Sequence, residues 1–165
     1  MHNRIYRVGA AALLAASITL ASSSGRAAEG SASPPAADTG RVEKVSSSSF
    51  GDTLKKLESV LKTEHMMIVA RVDHRNMLSM VGAKIRGATT VEFGKPEMGK
   101  MLLPMNPAIG LEMPARIYVY ENADGKAVVS YRKVAANFAD YGPEVAKAGE
   151  MMDMTLEKVA SATAQ

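Results

Sequence analysis

Residues 116–131 read RIYVYENADGKAVVSY, and this stretch decides the fold. Two runs rich in β-branched and aromatic residues lie on either side of the polar centre, a pattern typical of β-strands. The pair Asp124–Gly125 in that centre is typical of a hairpin turn. The sequence therefore predicts two antiparallel strands, Arg116 to Tyr120 and Ala127 to Tyr131.

Three more strands and two long helices are predicted outward from this hairpin. Ser49 is placed to cap a helix that ends near Lys62, and Pro143 is placed to open a final helix that ends near Ala160. Pro96 is placed to open a short helix after Gly94. The additional strands are predicted at Arg41 to Ser47, Met66 to Asp73 and Thr89 to Phe93, with Val91 and Phe93 pointing inward.

The segment from the second strand to Arg86 is the hardest to interpret. Strict alternation puts Ile68, Ala70 and Val72 on one face, and His74 continues the same phase. We therefore expect His74 to emerge on the buried face at the strand end. Residues 76–86 fit either a short helix or an irregular crossing.

The order strand, helix, four strands, helix predicts an α+β domain. Its simplest packing is an antiparallel sheet with helices on one face. We expect a single domain over residues 41–160 and a short tail over residues 161–165.

The N-terminal 28 residues have the layout of a secretory signal peptide. Arg4 and Arg7 precede an apolar run from Val8 to Ala21, and small residues follow, so cleavage fits after Ala21 or Ala27. Residues 29–40 are rich in Ser, Ala, Gly and Pro and are predicted to form a flexible tether. These patterns predict a periplasmic or secreted protein with no membrane span after signal removal.

Composition excludes several classes of protein. The chain has no Cys, which excludes disulfides, thiol catalysis and thiolate metal sites. Of its 20 basic residues, three lie in the first 28 positions, and the remaining 17 equal the 17 acidic residues. Because the exported chain would be near neutral and shows no basic cluster in its sequence, we expect no nucleic-acid partner.

The folded region resembles a known family, the domain of unknown function numbered 302, over about residues 46–159. The resemblance rests on Ser49-Phe50, Val72-Asp73-His74, Phe93-Gly94-Lys95-Pro96 with Gly99 and Leu102, Met113-Pro114, Asp124-Gly125 and Ser130-Tyr131. It implies a TATA-binding-protein-like fold, a curved sheet with helices. The chain departs from the family pattern at Lys95, Gly87 and Arg132-Lys133, and the family has no established reaction.

No catalytic constellation is visible, and the candidate ligands are few. His74 could hold a metal or act as a base, or it could only orient the turn. Methionine is in excess, with 12 residues in all. Phe93, Met98, Met101 and His74 are candidates for lining a small-molecule pocket between sheet and helices.

Two methionines of the final helix lie away from its predicted core stripe. Val145, Gly149, Met152, Leu156 and Val159 form that stripe, whereas Met151 and Met154 lie three residues apart on another side. They are candidates for a subunit interface. Together with His74, they are also candidates for a soft-metal site, because thioethers favour Cu(I).

We interpret the protein as an exported, non-enzymatic binding or assembly module, with a homodimer expected. Two alternatives stay open: Cu(I) binding through methionines, and a small-molecule pocket. The sequence names no ligand.

Overall fold

The computed structural model describes residues 40–165, so the predicted signal peptide and residues 29–39 of the predicted tether lie outside the described residues. The strands are β1 (Arg41–Val45), β2 (Met67–Asp73), β3 (Ala88–Gly94), β4 (Ala115–Glu121) and β5 (Ala127–Arg132). The helices are α1 (Phe50–Thr63), α2 (His74–Ser79), α3 (Pro96–Met105), α4 (Ala135–Ala139) and α5 (Pro143–Ala164), with a 3-10 helix at Pro107–Glu112.

The strands form one antiparallel sheet in the order β1-β5-β4-β3-β2. The predicted hairpin is confirmed as β4 and β5, with Ile117 opposite Tyr131 and Glu121 opposite Ala127. Gly125 has a φ of 75° in its turn, a conformation that glycine adopts without steric cost. The hairpin therefore occupies the interior of the sheet, and β1 and β2 are the two edge strands of the sheet.

One face of the sheet packs against α1 and α5. Ser49 caps α1 as predicted, since its hydroxyl accepts a hydrogen bond from the Asp52 backbone N–H at 3.2 Å. The inward positions predicted for Val91 and Phe93 are confirmed, and both are fully buried. Burial of apolar side chains of this size contributes about 1.5–3 kcal/mol each, so this layer holds the domain together. The layer also includes Leu57, Leu61, Ile117, Val119, Val129, Met152, Leu156 and Val159.

The opposite face of the sheet, here called the polar face, carries Thr90, Arg116, Tyr118, Ser130 and Arg132. Thr90, Tyr118 and Ser130 lie opposite one another, and all five residues alternate along their strands with members of the core layer such as Val91, Ile117 and Val129, which places them away from α1 and α5. The α+β class, with α1 and α5 on one face of an antiparallel sheet, is thus confirmed. The likeness to TATA-binding protein stays a prediction.

A register shift in β2 makes the predicted face assignment wrong. Ile68 pairs with the buried Phe93, but Ala70 pairs with Glu92, because a bulge or irregularity falls between Ile68 and Ala70. Beyond the shift, Val72 lies opposite Thr90 on the polar face. An extra residue reverses the alternation of a strand, which strict period-two counting does not foresee.

The structure decides the segment that the sequence left open, and it differs from the prediction at the C-terminus. In the uncertain segment after β2, α2 ends at Ser79, and the chain is irregular up to β3. At the C-terminus, α5 continues to Ala164, beyond the predicted end at residue 160. Thr163 is fully buried, and the Ala164 carbonyl accepts a hydrogen bond from the Ser47 N–H at 3.0 Å. These contacts hold residues 161–164 in the helix rather than in a free tail.

A second, smaller core joins α3, the 3-10 helix, α4 and α5. Its buried members are Leu102, Ile109, Phe138, Val145 and Ala148. Asp153 of α5 accepts hydrogen bonds from the backbone N–H groups of Val134 at 2.6 Å and Ala135 at 3.4 Å. This carboxylate therefore satisfies backbone groups at the start of α4 and fixes α4 against α5.

Candidate functional site

An apolar cavity of about 300 Å³ lies where β3 ends and β4 begins. Phe93 and Ala115 of the sheet form one wall, Met98 and Leu103 of α3 another, and Met152 of α5 a third. Phe138 and Val134 close the side next to α4. The cavity therefore lies between the sheet and the helices and contacts both cores.

The segment between β3 and β4 shapes this cavity. Pro96 stands at the start of α3, where its missing N–H costs nothing, which confirms the predicted short helix. Asn106 opens the 3-10 helix, since its side-chain oxygen accepts a hydrogen bond from Ala108 N–H at 3.1 Å. A cis peptide bond joins Met113 to Pro114 and leads the chain into β4.

The chemistry of the cavity lining is mainly apolar and rich in sulfur. Four methionines line it: Met67, Met98, Met113 and Met152. Phe93 and Phe138 are buried, whereas Met67, Val69 and Leu103 are 54%, 55% and 41% exposed. The cavity thus has an enclosed interior and an apolar mouth next to the edge strand β2. A pocket of this kind takes apolar or polarizable ligands.

Lys95 and Glu112 are the charged residues that line the cavity, and neighbouring side chains hold the carboxylate of Glu112. Glu112 accepts hydrogen bonds from Asn137 Nδ2 at 2.9 Å and from the Tyr141 hydroxyl at 3.1 Å. Desolvation and this bond to Glu112 raise the pKa of the Tyr141 hydroxyl. Both carboxylate oxygens of Glu112 are therefore engaged in joining the 3-10 helix to the α4 region.

A second concavity, of about 560 Å³, lies on the polar face. Four cationic side chains line it: Arg41, Arg116, Arg132 and Lys133. Thr90, Tyr118 and Ser130 add hydroxyl groups, and Glu112 is the one carboxylate residue among the lining residues. We call this the arginine concavity. Its lining is strongly cationic, although the exported chain is predicted to be near neutral.

Sequence reasoning missed the arginine concavity because Arg41, Arg116 and the pair Arg132-Lys133 are far apart in the chain. The available signal was local: Arg116 alternates in phase with Tyr118, and Arg132 with Ser130. A count of basic residues in short windows cannot detect side chains that only the sheet brings together.

The structure brings together only part of the predicted ligand-binding set. Phe93 and Met98 both line the apolar cavity. Met101 is 49% exposed and does not line it, and His74 lies elsewhere. Met67, Met113 and Met152 line the cavity without having been predicted as ligand-binding residues.

His74 lies on the polar face, contrary to the expectation that it emerges on the buried face. Its Nε2 is 2.8 Å from the Thr90 hydroxyl, and its ring packs edge-on against Tyr118 with centroids 5.7 Å apart. The cause is the register shift in β2, which reverses the alternation before His74. His74 thus joins a polar cluster with Thr90 and Tyr118.

The predicted metal and interface residues are not assembled with His74. Met151 and Met154 are 52% and 66% exposed on α5. Among residues 40–165, no group of three or more His, Cys, Asp or Glu side chains could hold a metal ion. In the same range, no helix is both long and apolar enough to cross a membrane.

Two comparisons with known proteins, one with family models and one with solved structures, match the same kind of domain. A family model described as domain of unknown function DUF302 matches residues 42–159. A crystal structure of an uncharacterized conserved protein DUF302 from Bacillus stearothermophilus is similar with a TM-score of 0.69. The two chains are 17% identical, and the match covers 75% of this chain and 98% of that one. At that identity, the likeness concerns the fold.

Curated relatives also match over part of their length. Fluoride-specific ion channel FluC 1 of Brucella suis and of Brucella abortus are each 30% identical over 96 residues. Each match covers 56% of this chain, but 38% and 36% of the respective relative. The chain thus spans little more than a third of the length of these relatives.

Proposed function

Because the chain belongs to the family of the domain of unknown function DUF302, whose description names no ligand, we propose a function from the site itself. The domain is a binding module that takes a small apolar molecule into the cavity between sheet and helices. The observation that carries this proposal is the cavity of about 300 Å³ with its apolar lining. This is the small-molecule alternative among the functions that the sequence left open.

The gradient of burial supports this function. The interior side chains Phe93, Phe138 and Met152 are at most 6% exposed, so a ligand placed beside them would lose contact with water. The hydrophobic gain is about 25 cal/mol for each Å² of apolar surface removed from water. The exposed side chains Met67, Val69 and Leu103 form an apolar part of the entrance, and Lys95 and Glu112 are the two charged residues of the lining.

The test fills the cavity from a position that tolerates a larger side chain. Gly99 lies on the cavity wall in α3, and a Cβ added there would meet only Leu103 Cδ1 at 3.9 Å, an ordinary contact. Gly99→Leu therefore places new carbon atoms beside the cavity in a helix that favours Leu over Gly. Gly51→Leu is the matched control, because Gly51 lies in α1 with open space around its Cβ position.

The probe is N-phenyl-1-naphthylamine, a neutral fluorophore that brightens in apolar sites. We expect the purified chain to bind it, Gly51→Leu to bind it equally, and Gly99→Leu to bind it at least about tenfold more weakly, as for loss of a well-filled apolar site. Thermal unfolding of each variant checks that it is folded. Equal binding by wild type and a folded Gly99→Leu would show that the cavity is not the binding site.

A second candidate, Cu(I) binding, is supported by the four thioethers of the cavity rather than by the residues predicted for it. Met67, Met98, Met113 and Met152 all line the cavity, and thioether sulfur is a soft ligand that suits Cu(I). Met151 and Met154 form an exposed pair on α5 and provide the competing location.

Competition with the Cu(I) chelator bicinchoninic acid under reducing conditions separates the two locations. The double variant Met98→Leu/Met113→Leu keeps the cavity apolar but removes two sulfurs, and Met151→Leu/Met154→Leu removes the exposed pair. Loss of Cu(I) binding only in the first variant would place the metal in the cavity. A wild-type dissociation constant no tighter than about millimolar would end the metal proposal.

Export is a part of the proposal that concerns residues outside those described. The positive n-region, apolar run and small residues of positions 1–28 support it. Mass spectrometry of the protein recovered from the exported fraction should give a chain that begins at residue 22 or 28. An intact N-terminus in the cell interior would contradict export.

A further inference from the structure

The arginine concavity contains a row of like charges that crosses three neighbouring strands. Arg41 of β1 lies directly opposite Arg132 of β5. Because Ile117 lies opposite Tyr131, Arg116 of β4 is the next neighbour of Arg132 in the same row. Neighbouring strands are about 4.8 Å apart, so the three guanidinium groups project from adjacent positions on one face.

Such a row costs stability unless something offsets it. Like charges directly opposite each other in a sheet destabilise the pair. Arg41 has a partial counter-charge in Glu43 at 3.8 Å, and both side chains are substantially exposed. The Arg116 side chain has no ion-pair or hydrogen-bond partner among residues 40–165, although Glu92 is its cross-strand neighbour. The Arg116 guanidinium therefore keeps its donors available for a ligand.

Hydroxyl groups form a second row beside the arginines. Thr90, Tyr118 and Ser130 lie opposite one another on β3, β4 and β5. His74 contacts the Thr90 hydroxyl and packs against the Tyr118 ring, which fixes that end of the row. Lys133 and Asn137 line the concavity beyond β5, where Asn137 donates to Glu112.

We propose that the arginine concavity binds a small multivalent anion bearing carboxylate or phosphate groups. Guanidinium groups match the paired oxygens of both in a bidentate fork, and hydroxyl groups supply further donors. An anion in the row would also relieve the repulsion between adjacent arginines. The arginine and hydroxyl rows lie on the face of the sheet opposite α1 and α5. The concavity shares Glu112, Pro114, Ala115 and Val134 with the lining of the apolar cavity, but neither row belongs to that lining, so the proposal does not depend on the function proposed for the apolar cavity.

The test measures binding of citrate and of inorganic pyrophosphate to the purified full chain by isothermal titration calorimetry. The two probes separate a carboxylate ligand from a phosphate ligand. We expect at least one of them to bind more tightly than about millimolar at low salt, with affinity that falls as salt is added. Binding of neither anion more tightly than about millimolar would overturn the proposal, and tight binding of an oligonucleotide in that case would indicate a nucleic-acid surface instead.

Substitutions locate the site. Arg116→Gln should weaken binding at least about tenfold, because a charge-assisted hydrogen bond is lost, and Arg116→Lys should lose less because the charge remains. Arg41→Gln provides a second removal of charge in case Arg116→Gln does not fold. Arg71→Gln is the control, since it removes the same charge from β2, where Arg71 pairs with Glu58 of α1.

The affinities of the arginine variants show whether the anion binds at the proposed row. Weaker binding in Arg116→Gln or Arg41→Gln, with Arg71→Gln within about twofold of wild type, supports the site. If Arg71→Gln weakened anion binding equally, the affinity would depend only on the net charge of the chain, and the proposal would be overturned. Gly99→Leu should leave anion binding unchanged, so failure of the cavity proposal and failure of the anion proposal are distinguishable.

Discussion

Gly149 is the residue that allows α4 to lie directly against α5. A Cβ placed at this position would stand 2.6 Å from Phe138 Cβ and 2.9 Å from Ala135 Cα. A Cβ essentially never lies this close to a carbon atom to which it is not bonded, and Ala135 contributes backbone that cannot rotate away. The close approach also lets Phe138 reach both the small core and the wall of the apolar cavity.

We expect Gly149→Ala to destabilise the domain by about 1–3 kcal/mol, because overpacking forces α4 away from α5. Gly51→Ala is the matched control. It adds the same methyl group to α1 with nothing within 4 Å, so it should be neutral or stabilising by up to about 1 kcal/mol. Urea unfolding followed by circular dichroism measures both. A Gly149→Ala variant as stable as wild type would show that the helices pack less tightly here.

His74 shows how a single residue's location can depend on a neighbouring strand. Its phase with Ile68, Ala70 and Val72 predicts one face, but the register shift between Ile68 and Ala70 moves it to the other. Whether a strand carries a bulge depends on its pairing with β3, so the segment by itself does not contain that information.

At the scale of elements, Glu157 joins β1, β5 and α5. Its carboxylate is 2.8 Å from Lys44 Nζ and accepts hydrogen bonds from the Tyr131 hydroxyl at 2.8 Å and from Ser161 at 2.9 Å. The Lys44 contact, then those with Tyr131 and Ser161, lower the pKa of Glu157 to about 2. Desolvation and the bond to Glu157 raise the pKa of Tyr131.

The direction of this shift predicts how the domain responds to acid. The pKa of Glu157 is lower in the folded chain than in the unfolded chain. Its contribution to stability is therefore complete above about pH 4.5 and is lost as the pH falls toward about 2. The carboxylate side chain is 50% exposed, and water screens its contacts, so we expect about 1 kcal/mol.

Glu157→Gln should accordingly be less stable than wild type at neutral pH, and the difference should disappear near pH 2. Glu150→Gln is the control, because Glu150 is exposed on the same helix and its side chain has no ion-pair or hydrogen-bond partner among residues 40–165. Denaturant unfolding at a series of pH values measures both variants. A pH-independent difference for Glu157→Gln would contradict the role assigned to its charge.

At the scale of the whole molecule, the edge strand β2 and the segment that follows it carry exposed apolar side chains. Met67 and Val69 are more than half exposed on β2, and Met80 and Val81 are 74% and 78% exposed beyond α2. An unpaired apolar edge strand favours pairing with another strand. A second copy of this chain is the simplest partner, because two β2 strands can pair antiparallel about a twofold axis.

The homodimer predicted from Met151 and Met154 therefore has two possible interfaces, and one experiment compares them. If β2 forms the interface, Val69→Lys should convert a dimer to a monomer, since lysine blocks edge pairing. In that case Met154→Lys on α5 should have no effect. Size-exclusion chromatography with light scattering measures the subunit count. The reverse result would favour α5, and a monomeric wild type would contradict both interfaces.

Much of the architecture could be read from the sequence because it depends on local patterns. The hairpin at Asp124–Gly125, the Ser49 cap and the buried stripe of α5 each follow from a few adjacent residues and the period of a helix or strand. The family resemblance over residues 46–159 corresponds to the family match over residues 42–159. Composition alone also excluded every chemistry that needs cysteine.

The sequence indicated Phe93 and Met98 for the cavity, but only the tertiary structure showed which other side chains join them and which ones form the arginine concavity. Met67 and Met152 line one cavity although 85 positions separate them in the chain, and Arg41, Arg116 and Arg132 form one row because β5 inserts between β1 and β4. Strand order and register determine such neighbours, and they arise from packing over the whole domain rather than from local preference. The sequence by itself therefore determined which elements form, and the pairing of those elements determined which side chains could act together.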